Sequence, residues 1–201
     1  MRLSSRMIIV LTSIGLISGG LLVSVNSLTK ERIGLNKQLE IEEAITQVVP
    51  GTKTSQKLYE EKDFAIYAGK NDDGRNLGFA IQTAAGGFQD KIILLIGSNP
   101  SLTKINSLHI LDQKETPGLG AKITNYDSFL KFWENKDCSG SLRLRKPPVS
   151  SPDQLASSEV NTITGATVSS EAVLNGVNSS LEKVRKLKAE GRFGVEGKNA
   201  R

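Results

Sequence analysis

Lys91-Ile92-Ile93-Leu94-Leu95-Ile96-Gly97 is an apolar run of strand length, and Ser107 to Asp112 is expected to pair beside it, so the two together form the core of a sheet. Outward on the N-terminal side, Gly86-Gly87 breaks the pattern. Before it, Leu77 to Thr83 reads as a strand joined to Phe64 to Gly69 by a hairpin turn at Asn71-Asp72-Asp73-Gly74, with Lys57 to Glu60 as a further short strand. Thr29 to Val49 places Ile33, Leu35, Leu39, Ile41, Ile45 and Val48 among charges and closes at Pro50-Gly51, the pattern of a moderately amphipathic helix. On the C-terminal side, Tyr126 to Trp133 reads as a short helix with Phe129, Leu130 and Trp133 on its apolar side, which assigns Trp133 to the core. Arg143-Leu144-Arg145, ahead of Pro147-Pro148, reads as an edge strand, and Ser150 to Glu159 as a loop. From Ser169 to Ala189 the residues Val173, Leu174, Val177, Leu181 and Val184 recur at helical spacing, so one face packs on the sheet, and Gly191 ends the helix. The fold class expected is α+β: a twisted, mostly antiparallel sheet flanked by helices, with one N-terminal transmembrane helix.

The chain has 201 residues with 38% apolar content, enough for one domain of ordinary size and an anchor. No residue from Met7 to Thr29 is charged, and the run can cross a hydrocarbon core of about 30 Å. A cleavable signal peptide is the competing reading, because Arg2 and Arg6 form a basic start and Val25-Asn26-Ser27 is a passable cleavage site. The run exceeds the roughly 7 to 15 apolar residues of a signal segment and lacks an A-x-A end, which favours the anchor. Arg2 and Arg6 before the span are balanced by Lys30, Arg32 and Lys37 after it, so flanking charge does not orient it.

The net charge of +5 is spread along the chain, densest at Lys183, Arg185, Lys186 and Lys188, where cations suit the end of a helix. Aromatic residues do not interleave with these bases, so the cluster reads as a solvated face and no nucleic-acid partner is expected. Cys138 is the only cysteine, which excludes an intramolecular disulfide and a four-cysteine iron–sulfur cluster within the chain. His109, the only histidine, sits in an apolar run and reads as a strand residue; no metal site and no catalytic residue are expected.

Two short segments carry the chemistry. Thr164-Gly165-Ala166-Thr167-Val168-Ser169-Ser170-Glu171 puts hydroxyls around a small Gly-Ala pair where the last helix begins. Hydroxyls there are ordinary helix N-caps, yet the same place offers unpaired backbone N–H groups and close access to a phosphate. Glu115-Thr116-Pro117-Gly118-Leu119-Gly120 leaves the strand ending near Asp112: Pro117 fixes its own φ and extends Thr116, while Gly118 and Gly120 tolerate unusual backbone angles. Alone it is a plain turn or a rigid, closely approachable ligand loop. Ile123 stands where a dinucleotide fingerprint would place its third glycine, and no βαβ unit surrounds it, so a Rossmann site is rejected.

The first segment resembles the D-x-x-[S/T]-G-A-T-x-[S/T] flavinylation motif, and the second the E-T-P-G-L-G signature, of the FMN-binding domain in the G subunit of Rnf-type ion-translocating electron transport complexes. The C subunit of the sodium-translocating NADH:quinone oxidoreductase shares this domain and is the alternative assignment; a non-redox anchored structural domain is a third. The resemblance covers the whole chain, and its modest length is closer to that of the Rnf protein. It implies FMN held as a phosphoester on Thr167, with Thr164 and either Ser169 or Ser170 donating hydrogen bonds near the phosphate and Gly165 and Ala166 giving access. Glu115, Thr116, Gly118, Leu119, Gly120 and Lys122 belong to the loop bordering the ring, with Leu119 against the isoalloxazine. It also implies an electron-carrying role rather than a complete enzyme, partner subunits of a membrane electron transport complex, a flavin-attaching transferase during maturation, and an inner-membrane location with the domain outside the cytoplasm. The expected organisation is 1–6 cytoplasmic, 7–28 transmembrane, 29–49 a connecting helix, 50–190 the FMN-binding domain and 191–201 a flexible tail. The chain departs from the pattern at Asn161, where the motif has Asp, and at Gln113, where a His is frequent. Asn161 bears on recognition by the attaching enzyme; the acceptor Thr167 is intact.

Overall fold

The computed structural model describes residues 3–193, in two compact units, one ending at Ile41 and the other beginning at Glu42. The first is helical. Helix α1 (Leu3–Val48) is continuous through residue 29, and no proline precedes Pro50 to interrupt it. Its apolar part is long enough to cross a membrane, and its large side chains, Leu11, Leu16 and Leu22 among them, are exposed. Hydroxyls in this stretch turn inward: Ser13, Ser24 and Thr29 each donate to the carbonyl four residues back, at 2.8 Å. That return bond satisfies polar groups that a surrounding lipid would leave without a partner.

The second unit is built on a six-stranded sheet in simple chain order: β1 (Thr54–Glu61), β2 (Phe64–Lys70), β3 (Asn76–Gly86), β4 (Lys91–Ser98), β5 (Lys104–Asp112) and β6 (Lys136–Asp137). Every neighbouring pair is antiparallel. The turn between β2 and β3 falls at Asn71 to Gly74, where the Asn71 carboxamide accepts the Arg75 N–H and Gly74 takes φ +74.

Register decides what each face meets. Ile66, Ile81, Ile96 and Leu108 lie opposite one another across four strands, and helix α2 (Thr167–Ala189) covers that face with Val173, Val177, Leu181 and Val184, none more than 1% exposed. Gly176 lets the helix come close, since a Cβ there would stand 2.7 Å from the Ala85 Cβ. The opposite face carries Gly69, Gly78 and Gly97, and onto it press the last turns of α1 and the residue after them: Ala44, Ile45, Val48 and Val49 are buried. A Cβ on Gly97 would lie 1.8 Å from the Val48 carbonyl oxygen. Both faces being covered explains why Ile92 to Ile96 is apolar at every position instead of alternating.

Some expectations are corrected. Tyr126 to Trp133 is not a helix; only Leu130–Trp133 forms a 3-10 turn. The Asn125 carboxamide accepts both the N–H and the hydroxyl of Ser128, fixing a turn in place of a helical start, and the fully buried Phe129 and Trp133 pack edge to face with ring centroids 5.8 Å apart. Trp133 lies in the core, as read. Strand β7 (Arg143–Arg145) pairs in parallel with β8 (Glu159–Asn161) as a separate two-stranded sheet, and the intervening loop contains a 3-10 turn at Pro152–Gln154. Of the expected tail, Phe193 packs on Phe79 with centroids 5.8 Å apart; residues 194–201 lie outside the described residues.

Candidate functional site

Three segments distant in sequence enclose a cleft of about 370 Å3, within the range of roughly 300 to 1,000 Å3 for small-molecule sites. The tip between β3 and β4 supplies Phe88. The loop after β5 supplies Glu115, Thr116, Leu119 and Gly120, and the start of α2 supplies Gly165 to Ser169. Phe88, Leu119 and Val168 are 70%, 50% and 53% exposed, an apolar rim left open around the cleft.

The start of α2 is fixed from upstream. Asn161, buried in β8, accepts the Val149 N–H through Oδ1 and donates to the Val149 carbonyl through Nδ2, both at 2.9 Å. Thr162 donates its hydroxyl to the Arg145 carbonyl at 2.6 Å. Ile163 enters the core, the chain turns with Gly165 at φ +81, and Ala166 caps the helix with its backbone alone. Hence, among the described residues, no side chain satisfies the first N–H groups of α2; the helical ladder begins with Ser170 N–H donating to the Ala166 carbonyl at 2.9 Å. Thr167 is the first residue of the helix, half-buried and lining the cleft. Among the described residues its hydroxyl has no protein partner.

The two serines behave differently. Ser169 donates to Glu115 Oε2 at 2.5 Å, and Ser170 donates to the Ala166 carbonyl at 2.9 Å while accepting the Ile163 N–H. Their protons are therefore committed within the protein. Glu115 is 4% exposed and also accepts the Gln89 N–H at 3.0 Å. Burial acts to raise its pKa, but the Ser169 hydroxyl and the backbone N–H groups of Gln89, Phe88 and Asp90 outweigh it, so the carboxyl sits below its ordinary value. Gln89 Nε2 donates to the Thr116 hydroxyl at 3.1 Å, a second tie between tip and loop.

The structure thus brings Glu115, Thr116, Leu119, Gly120, Gly165, Ala166, Thr167 and Ser169 to one cleft. Gly118, at φ +78, shapes the loop without lining it, and Lys122, Thr164 and Ser170 lie off the lining. Sequence reasoning passed over Phe88 and Val168; the signal for Phe88 is an aromatic directly after Gly86-Gly87 in a tight connection, where no core can cover it. His109 lies in β5 opposite Leu95. Cys138 is fully buried, and burial pushes its thiol pKa up, which makes it a poor nucleophile.

These features fit FMN in kind. An exposed apolar rim suits a flat aromatic ring, uncapped helical N–H groups suit a phosphate, and Thr167, with its partnerless hydroxyl, lines the same cleft.

The model of the FMN-binding domain family matches residues 87–182, a span that begins at the tip carrying Phe88 and takes in both motif loops and most of α2. Among solved structures, NqrC of Shewanella oneidensis shares the fold with TM-score 0.50 and 16% identity, covering 71% of this chain and 74% of that one. The C subunit of the Na(+)-translocating NADH-quinone reductase of Parabacteroides distasonis does so with TM-score 0.50 and 22% identity, over 61% of each. Among curated proteins, the G subunit of the ion-translocating oxidoreductase complex of Methanosarcina acetivorans is 24% identical, over 90% of this chain and 94% of that protein. Its counterpart of the same description in Pasteurella multocida is 31% identical over 199 residues, 89% of this chain and 92% of that protein. On this near full-length likeness, together with a matching FMN-binding domain, the chain belongs to the G-subunit family of ion-translocating oxidoreductase complexes.

Proposed function

We propose that the chain holds FMN as a phosphoester on Thr167 and carries electrons between partner redox subunits of a membrane ferredoxin:NAD oxidoreductase complex, anchored by the single span in α1 with the domain from Pro50 outside the cytoplasm. The observation that carries the reading is the position of Thr167: first residue of α2, lining the cleft, its hydroxyl without a protein partner beside N–H groups that no side chain caps. FMN supplies electron carriage in one-electron steps. The protein's own part is to bind and orient. Backbone N–H groups of Thr167 and Val168 would hold the phosphate, Gly165 and Ala166 would keep that approach clear, and Leu119, Phe88 and Val168 would border the ring. Thr167 Oγ is the group that would be esterified: it would replace the leaving group on the phosphorus of an activated flavin phosphate brought by a flavin-attaching transferase, and its proton would depart with that leaving group. A covalent tether keeps the cofactor from being lost outside the membrane.

The experiment is retention of flavin fluorescence after denaturation, in protein made with a competent attaching enzyme. The wild-type chain keeps it, Thr167→Ala loses it, and Thr164→Ala keeps it, because Thr164 lies off the cleft lining. A fluorescent denatured Thr167→Ala would overturn the assignment, and a colourless wild type would favour a purely structural anchored domain. A cytoplasm-only reporter fused to Arg201 is expected to be inactive; an active fusion would overturn the orientation.

A further inference from the structure

We propose that Glu115 is a positioning residue for the flavin. Its buried carboxylate locks the Phe88 tip and the first turn of α2 into one frame and leaves a fixed negative charge beside the cofactor, which makes the flavin harder to reduce.

Both carboxylate oxygens are already used: Oε1 takes the Gln89 N–H at 3.0 Å and Oε2 takes the Ser169 hydroxyl at 2.5 Å. The protein is fitted closely around them. A Cβ on Gly87 would come within 2.4 Å of Oε1, and one on Gly120 within 2.5 Å of Oε2 and 2.6 Å of the Ser169 Oγ. With its oxygens so enclosed, Glu115 acts on the cofactor through Phe88 and α2 rather than by direct ligation. Among the described residues no lysine or arginine forms an ion pair with it. Its charge is held by neutral hydrogen-bond donors and the positive end of α2. Such donors stabilise a carboxylate without cancelling its field in a partly desolvated cleft, so an electron added nearby meets repulsion. The depressed pKa keeps that charge in place across the neutral range.

This inference rests on FMN in the cleft, and its test separates the two. The midpoint potential of the bound flavin is measured in the wild type, Glu115→Gln and Ser169→Ala. Glu115→Gln removes the charge and nearly keeps the shape; its potential is expected to be less negative than wild type. Ser169→Ala keeps the charge and removes the hydroxyl that dampens it; its potential is expected to move the opposite way. Shifts in the same direction in both, or none in either, would overturn the proposal, because loosening the frame alone does not produce opposite signs. If Glu115→Gln does not fold, Ser169→Ala decides by itself: a more negative potential supports the proposal and any other result overturns it. A wild-type chain without flavin contradicts the Thr167 reading only. The frame is then tested by amide exchange of residues 87–91 in flavin-free protein, which is expected to speed up in Glu115→Ala; unchanged exchange overturns it.

Discussion

The two helix ends that meet the sheet are finished in opposite ways. The last turns of α1 bear down on a glycine floor at Gly69, Gly78 and Gly97, with Ile45, Val48 and Val49 at most 1% exposed and no space for one added methyl group at Gly97. The first turn of α2 stops short of closure: apolar Phe88, Leu119 and Val168 face solvent, the helical N–H groups lack a side-chain cap, and Thr167 has an uncommitted hydroxyl. A protein seeking only stability would cap that helix and cover that rim. The first junction is solved for packing, and the second is left incomplete in the manner of a ligand site.

The comparison breaks most visibly at Gly97. Gly97→Ala puts a methyl group against the Val48 carbonyl, and overpacking of a backbone contact this close is expected to cost about 3 kcal/mol or more. Denaturant unfolding reads this as a large drop in midpoint; a loss under about 0.5 kcal/mol would mean that the end of α1 is not seated on the sheet as described. Next comes Asn161, whose carboxamide both accepts from and donates to Val149. Asp has no donor for the Val149 carbonyl, so Asn161→Asp is expected to cost on the order of 1–3 kcal/mol even though it restores the residue of the flavinylation motif. Stability and flavin content measured on the same sample separate the two effects, and a stabilised Asn161→Asp would contradict the pairing.

A smaller effect follows from Glu115. Its folded pKa is depressed, so its contribution is fully present above the ordinary carboxyl value of 4.5 and fades as pH falls from there through the folded value. Wild-type stability should therefore decline in that acid window more steeply than that of Glu115→Gln, and parallel pH profiles would remove Glu115 from the frame. Smallest of all is Phe88→Ala: at 70% exposure it is expected to change stability by no more than about 0.5 kcal/mol while altering the flavin's emission. A large loss of stability there would mean that the rim belongs to the core.

The sheet was legible because Ile92 to Ile96 and Leu108 to Ile110 advertise strands through local pattern, and α2 because Val173, Val177, Leu181 and Val184 repeat at helical spacing. The acceptor segment and the loop at Glu115 were legible as motifs. What was not legible depends on contacts between remote segments. Ser169 and Glu115 are 54 positions apart, and only the folded chain shows that the serine's proton serves the carboxylate and not a ligand. Phe88 joins the cleft through a turn that carries no motif, and the parallel pairing of Arg143–Arg145 with Glu159–Asn161 arises because Asn161 and Thr162 reach back to Val149 and Arg145. Likewise Gly97 read simply as the end of a strand, since nothing local announces that α1 will lie on it.

The central claim concerns one atom, the Thr167 hydroxyl oxygen at the head of α2. Mass analysis of proteolytic fragments from protein purified out of its own membrane tests it most directly. The account predicts a single FMN adduct on the fragment containing Thr167, localised to that residue and missing from Thr167→Ala. An unmodified Thr167 fragment, or an adduct on Thr164, would contradict it.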